Sequence, residues 1–526
     1  MKVLVMDNVS EEGLAPLYRQ EGIEVVTGQK MSEDELVEQI AGFDALIVRS
    51  ATKVTKKVIA AAKKLKVIGR AGVGVDNIDL EEATKRGILV VNAPDGNTVA
   101  ATEHTMAMML ALARNIPQAV ARLKEGVWEK KAFTGVELRG KVLGVIGLGR
   151  IGSAVARRAQ AMEMQVVAYD PYITEEKAQS MGITLVALPD LFARSDFITV
   201  HVPKTKDTYR LISDEAFAMM KNGVRIINCA RGGVIDEEAL YRALTSGKVA
   251  GAALDVFERE PEVESPLLNL PNFIATPHLG ASTVEAQISV AREVAEEIVA
   301  ALQGKMVRNA VNIPHVSISV YSLIGPYIGL AEKMGKFMAQ LVAGRIRRVE
   351  ITYTGEVFSK EVSPLTTTFL KGLLDPVLQE AVSFVNAPIL AKARGIQVLQ
   401  SIDGEGEGYA NLIMVRVVSD REEKTAAGTI FGKEEPRLVM IDGYRIDVAP
   451  EGHLLYIPHI DKPRIIGPVG LLIGEMNVNI AFMQVGRKDR GGRAVMMLSV
   501  DAPVPAETLE KIKNIDGVLD VRMISI

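Results

Sequence analysis

The chain has 526 residues, 48% of them hydrophobic and 24% charged, an ordinary globular composition that excludes a disordered or fibrous protein. A single core stops growing at roughly 250–300 residues, so about three or four domains are expected. The formal net charge of -4 gives no general pull toward nucleic acid or a membrane surface, and one cysteine, Cys229, rules out an intrachain disulfide and a thiolate-rich metal centre.

The chain opens on MKVLVMD, which reads as a strand rather than a secretory leader. The short apolar runs VLVMD, ALIVRS, LKVIGRAG and ILVVNAP then alternate with helical stretches, the rhythm of a parallel sheet covered by helices. Residues 98–125 read as one long helical connection. From about residue 140 the rhythm restarts with VLGVIG, QVVAYD, FITVHVP, RIINCA, GAALDV and FIATPH, a second and longer α/β unit. A further helix is expected over 282–303, and the two long helices would return the chain to its first unit as hinges. Leu323, Tyr327, Leu330, Met334, Met338 and Leu341 then recur at helical spacing, followed by the strand-like RRVEITYTGEV and turns at DGEGEG and IDGY. Pro326, Glu332, Lys333 and Lys336 interrupt this stretch, well short of the ~20 apolar residues of a membrane span. With one cysteine and no membrane segment, a cytoplasmic location is expected. Residues 453–526 read strand, helix, strand, strand, helix, strand, the ferredoxin-like pattern.

Chemistry enters at KVLGVIGLGRIGSAVARRAQ, where Gly147, Gly149 and Gly152 form GxGxxG between an apolar strand and a helix. The first glycine allows the tight turn, the second lets the backbone approach a pyrophosphate, and the third lets helix pack on strand. Asp170 ends the next strand, where a carboxylate accepts from ribose hydroxyls and repels a 2′-phosphate; NAD is favoured over NADP. RAGVGVDNID offers Arg70, Gly72 and Val73 as exposed N–H groups beside a guanidinium, and Arg49 ends another strand; both could bind an anion or be surface turns. Arg231 follows RIINCA at the carboxyl edge of a strand, where a guanidinium suits a carboxylate. Cys229 has apolar neighbours and no adjacent histidine, so packing beside the cofactor is favoured over nucleophilic attack. Glu260 lies one loop and one short strand before His278, close enough for a carboxylate to fix the imidazole tautomer. A histidine alone in ATPHLGAS is more often inert; the glutamate and arginine turn it into an acid/base candidate for carbonyl–alcohol interconversion.

Taken in order, GLGRIG, Asp170, NCARGGVID, DVFEREP and TPHLGAST resemble the D-isomer-specific 2-hydroxyacid dehydrogenase family. VRSATKVT, GRAGVGVDNID and NAPDGNT are similar to its members that act on a phosphorylated 2-hydroxy acid, and the tail, with VNAPILAKARGI and GTIFGKEEPRLVMIDGYRID, is similar to their long form. The resemblance implies a flavodoxin-like substrate domain over 1–97 and 283–308, a Rossmann-like NAD-binding domain over 98–282, an α+β intervening domain over 309–450 and a ferredoxin-like ACT domain over 451–526. It implies a catalytic triad of Arg231, Glu260 and His278. Cofactor contacts fall on Gly147, Gly149, Arg150, Ile151, Gly152, Asp170, Val202, Cys229, Ala230, Arg231, Asp255, His278 and Gly280. Substrate contacts fall on Arg49, Arg70, Gly72, Val73 and, in trans from the WEKKAF arm of a neighbouring subunit, Lys130. A serine effector would meet His459, Asp461 and Asn479, although Arg464 stands where the family usually has glycine. No metal is implied, and a homotetramer is expected. A glyoxylate- or hydroxypyruvate-type reductase and an NAD-sensing scaffold remain as alternatives.

Overall fold

The computed structural model describes the whole chain except residues 29–30, 262–263, 306, 314–317, 359–360, 379–380, 404–407 and 433, and the side chains of 318, 319, 321 and 322. The first sheet is built from Lys2–Val5, Glu24–Thr27, Ala45–Val48, Val67–Arg70 and Leu89–Asn92, all parallel, in the flavodoxin-like order 2-1-3-4-5. Its central strand ALIV is buried along its length, because helices cover both faces. One cover is the helix Val284–Leu302, which returns to this sheet and lays Val290, Ala291, Val294, Ala295 and Ile298 on it, a stripe at helical spacing. Thr283 caps that helix by accepting from Ala286 N–H at 3.1 Å.

The second sheet has seven parallel strands: Val142–Ile146, Gln165–Tyr169, Thr184–Leu185, Phe197–Val200, Val224–Asn228, Val249–Leu254 and Phe273–Ala275. By position in the unit their order is 7-6-5-4-1-2-3. The order reverses between Val142–Ile146 and Phe197–Val200, and the crevice outside the carboxyl ends there is where open α/β sheets bind ligands. Two strands, Glu24–Thr27 and Thr184–Leu185, escape the reading of apolar runs. Both lie at sheet edges, where burial no longer demands a long apolar run. The connection expected over 98–125 is two helices, Thr98–Arg114 and Ile116–Lys124. Asn115 between them sits in the left-handed region at φ 53°, and Pro117 opens the next turn, which breaks the helix.

Beyond these lies a six-stranded mixed sheet carrying the helices Ile318–Leu341 and Ser363–Leu374. Of its expected turns, IDGY is a two-residue hairpin with Asp442 and Gly443 at positive φ, whereas DGEGEG includes residues 404–407, outside the described residues. The last unit is a four-stranded antiparallel sheet in the order 2-3-1-4, with helices Ile466–Glu475 and Ala506–Lys513, the ferredoxin-like arrangement. Leu454, Tyr456, Val495, Met497 and Ile524 from this unit join Tyr327, Val349 and Leu438 in one continuous core. No helix among the described residues is long and apolar enough to cross a membrane.

Candidate active site

Strands Val224–Asn228, Val249–Leu254 and Phe273–Ala275 are neighbours in the second sheet, so the loops that leave their carboxyl ends meet. The middle loop begins with Asp255, which is fully buried. Its carboxylate accepts from Thr276 Oγ1 at 2.6 Å, Leu279 N–H at 2.7 Å and Gly280 N–H at 2.8 Å, while its carbonyl accepts from His278 N–H at 2.9 Å. His104 Nε2, reaching in from the helix Thr98–Arg114, lies 3.1 Å from Thr276 Oγ1 and 3.2 Å from Asp255. Burial pushes the Asp255 carboxyl up, but the bonds from His104, Thr276 and Leu279 outweigh it and leave it below its ordinary value. Asp255 therefore organises the loop 276–280 as a fixed anion.

That loop holds His278 in the left-handed region at φ 56°. The imidazole Nδ1 lies 2.7 Å from Glu260 Oε2, and Glu260 Oε1 accepts from Phe257 N–H at 2.9 Å. Burial raises the Glu260 carboxyl, yet the donors on His278 and Phe257 hold it below its usual value. An ionised Glu260 accepting from Nδ1–H leaves Nε2 as the base. The imidazole is about half exposed, at 49%, so Nε2 has access to a ligand.

The third loop carries Arg231. Asn228, buried at the strand end, donates from Nδ2 to Arg231 O and accepts from Ala230 N–H, both at 2.9 Å, while Arg231 Nη1 donates to Ala230 O at 2.7 Å. Its Nε is 3.4 Å from Asp76, in the first unit. The guanidinium lies over Gly74, and that of Arg70 over Gly72, where a side chain would collide with it. Burial, then the facing charges of Arg231 and Arg49, hold the Arg70 guanidinium down to about 10, so it stays cationic at neutral pH. Its Nε is buried without a hydrogen-bond partner among the described residues. Arg49 is set at its strand end by Asp7, which accepts from Arg49 N–H at 2.7 Å, and by Asn77, which donates to Arg49 O at 2.7 Å. Asn92 likewise holds Val73 O at 2.7 Å. Three cations thus converge across two units; Asp76 and Asp7 offset part of their mutual repulsion, and a bound anion would offset more.

The glycine turn stands at the switch point. Gly147 has φ 93°, and a side chain there would meet His201 O and Val202. Gly152 lies against Gly147 O, while a Cβ on Gly149 would enter open space. Gly149 heads the helix Arg150–Ala161 without a side-chain cap, so backbone donors and the positive helix end face that space. Asp170 accepts from Leu148 N–H and Tyr172 N–H, both at 2.8 Å, which puts its carboxylate beside the turn. These features fit a dinucleotide, and they test it on geometry rather than on the motif alone. Ile151 and Val202 are half-buried beside the turn, and Arg150 pairs with Asp95 of the first unit at 2.6 Å. Cys229 is buried; burial, then Asp255, pushes its thiol up to about 12, which removes it as a nucleophile.

The model for the "D-isomer specific 2-hydroxyacid dehydrogenase, NAD binding domain" matches residues 106–280, and that for the "D-3-phosphoglycerate dehydrogenase intervening domain" matches 323–442. The D-3-phosphoglycerate dehydrogenase of Methanocaldococcus jannaschii is 49% identical over 100% of both chains. The chain belongs to the D-3-phosphoglycerate dehydrogenase family. The Bacillus subtilis relative of the same name is 46% identical over 100% of this chain and 99% of its own. Among solved structures, the TT0316 protein of Thermus thermophilus is 35% identical with a TM-score of 0.55, covering 59% of this chain and 100% of that one. D-2-hydroxyisocaproate dehydrogenase is 29% identical with a TM-score of 0.54, covering 59% and 99%. The chain is an NAD-dependent oxidoreductase of this family.

Other expected residues stand apart. Lys130 is exposed near Trp128, itself 82% exposed, and makes none of the contacts that join the arginine cluster. His459 is buried with Nδ1 at 2.9 Å from Ile460 O and Nε2 without a partner. Asp461 accepts from Arg487 at 3.0 Å, and Asn479 donates to Asp501 at 3.1 Å, so no hydrogen bond joins the three within the chain. Arg464 has φ 68°, the left-handed region that favours glycine. Sequence reading missed His104 and Asn228. The usable signal was a polar residue inside an apolar helix or strand, TEHTMAMML and RIIN, which must find a partner there. Among the described residues no cluster of three or more His, Cys, Asp or Glu is placed to hold a metal ion.

Proposed function

We propose that this chain oxidises 3-phospho-D-glycerate to 3-phosphohydroxypyruvate, the entry step of phosphorylated L-serine synthesis. The observation that carries this reading is the convergence of Arg49, Arg70 and Arg231 on loops whose neighbours present the His278–Glu260 pair. Arg231 holds the substrate carboxylate and polarises the C2 oxygen; Arg49, Arg70 and the backbone from Gly72 to Val73 hold the phosphate. NAD, when bound, accepts the hydride that leaves C2. Gly147, Gly149 and Gly152 would hold its pyrophosphate, and Asp170 would accept from its ribose hydroxyls. As the C2–H bond breaks, the C2 hydroxyl gives its proton to His278 Nε2, and the bond from Nδ1 to Glu260 steadies the imidazolium. General base catalysis of this kind contributes about 10² to 10⁴ in rate.

An NAD-coupled assay of 3-phosphoglycerate against unphosphorylated 2-hydroxy acids tests the reading, with 3-phosphoglycerate expected to have the highest kcat/KM. Arg49→Ala is expected to raise KM about tenfold or more for the phosphorylated substrate alone, the loss of one charged hydrogen-bonding partner. Equal losses for glycolate or lactate would argue for a general 2-hydroxyacid dehydrogenase. The domain limits set out above, Lys130 as a phosphate contact in trans, a homotetramer and a cytoplasmic location belong to the same proposal. So does serine feedback through His459, Asp461 and Asn479, supported by the ferredoxin-like unit that carries them. Turnover unchanged by millimolar serine would remove that part.

A further inference from the structure

A cavity of about 1120 Å³ opens beneath the first sheet, at the edge away from the arginine cluster. One wall is the start of strands Val67–Arg70 and Leu89–Asn92 with Lys305, Val307 and Arg308; the facing wall includes Pro364, Thr367 and Phe384 of the third unit. The strand that starts beside Lys66 at the cavity ends in Arg70, and the strand that follows Asp44 ends just before Arg49. Cavity and substrate arginines therefore sit at opposite ends of the same short strands, on the order of 10–15 Å apart at ~3.3 Å per residue.

Among the described residues, seven lysine and arginine side chains line this space against two carboxylates, Asp44 and Glu82. Lys66 is paired with Asp44 at 3.5 Å, Arg86 with Glu82 at 2.9 Å and Lys85 with Glu81 at 2.6 Å. The ammonium groups of Lys63, Lys64 and Lys305 make no hydrogen bond or salt bridge among the described residues; Arg308 donates its backbone N–H to Glu297 at 2.8 Å, and its guanidinium also draws that carboxyl down by its charge. On the facing wall Thr367 is buried to 9% exposure, and Phe384 stands 41% exposed with the Lys371 ammonium 4.6 Å from its ring centre. The walls are joined at Gly87, whose carbonyl accepts from Ser383 Oγ at 3.1 Å and whose φ of +72° lets the turn fit against Asn386. The space is thus bounded by a direct contact between the two units.

We propose that this cavity binds a small phosphorylated organic anion, its phosphate held by Lys63, Lys64, Lys305 and Arg308 and its carbon skeleton laid against Thr367 and Phe384. The unpaired ammonium groups of Lys63, Lys64 and Lys305, with Arg308 beside them, leave this wall an excess of positive charge that a multivalent anion offsets. At about 1120 Å³ the space is slightly larger than the roughly 300–1,000 Å³ of small-molecule sites, so it admits such a ligand without displacing either wall. The site shares no residue with the arginine cluster, so it stands or falls independently of the substrate assignment.

The test is calorimetric titration of the full chain with inorganic pyrophosphate and with a sugar bisphosphate, against sodium chloride of equal ionic strength. The parent is expected to show two binding events per chain, one of which disappears in Arg49→Ala. The other is expected to weaken at least tenfold in Lys64→Glu/Lys305→Glu, which keeps kcat and KM within about twofold in the absence of added anion. Lys64→Ala/Lys305→Ala provides a milder pair should charge reversal impair folding. A stronger response to the bisphosphate than to pyrophosphate identifies the organic source, and the reverse a free phosphate. Undiminished binding in both double variants overturns the proposal. So does a changed sedimentation coefficient with anion binding intact, which would make the cleft a contact between subunits.

Discussion

At the scale of single residues, His278 depends on two neighbours that act differently. Glu260 engages Nδ1 and leaves Nε2 free, and Asp255 sets where the ring stands by holding the backbone around it. Replacing the imidazole leaves that backbone scaffold in place. His278→Ala is accordingly expected to lower kcat by about 10² to 10⁴, the usual general-base contribution, while NADH fluorescence titration gives an unchanged affinity. A variant turning over within tenfold of the parent would sink the assignment. Cys229 illustrates the opposite case, a reactive residue type made inert by its surroundings. With the thiol pushed up to about 12, the thiolate fraction at pH 8 is negligible. Iodoacetamide at that pH is expected to leave the folded chain unmodified and to alkylate it in denaturant; rapid labelling of the folded chain would contradict the burial.

At the scale of elements, the glycine turn and the helix Arg150–Ala161 work as one piece. Gly152 touches the carbonyl of Gly147, so the helix can approach the turn only without a side chain there. A methyl at Gly152 must push the helix start away from the pyrophosphate position, which weakens the aimed N–H groups. Gly152→Ala is expected to raise the NADH dissociation constant at least tenfold, equivalent to about 1.4 kcal/mol, with far-ultraviolet dichroism retained. An unaltered constant would show that the turn absorbs the methyl elsewhere. The helix Thr98–Arg114 is a second such element, since it passes between units and still delivers His104 to Thr276 and Asp255.

At the scale of the molecule, the last two units are bound together by more than chain continuity. Their sheets share a core through Leu454, Tyr456 and Ile524, and Arg522 donates to both Glu422 oxygens, at 2.7 and 3.2 Å, and to Leu341 O. These groups are mostly buried, at 20% and 23% exposure, so little water replaces a lost partner. Arg522→Ala is expected to cost about 1.5–3 kcal/mol, the range for hydrogen bonds to charged groups. Urea denaturation checks it, and an unchanged midpoint would mean the apolar contact alone joins the units.

Much of this was legible before any coordinates. Parallel strands declare themselves as apolar runs because both faces are covered, and the GxGxxG turn declares itself because only glycine fits two of its positions. The resemblance carried by the order of motifs implied Arg231, Glu260 and His278 together, and the structure joins two of them, His278 and Glu260, at 2.7 Å. Edge strands such as Thr184–Leu185 were not legible, because half their environment is solvent and composition relaxes there. The helix break at Asn115 was hidden for a different reason, a single left-handed residue within an otherwise helical pattern. His104, the facing of Arg70 and Arg231, the cationic cavity between units and the shared core of the last two sheets were decided by tertiary structure alone. Each joins residues far apart in the chain, and periodicity reports which face of an element is apolar but not which other element meets it.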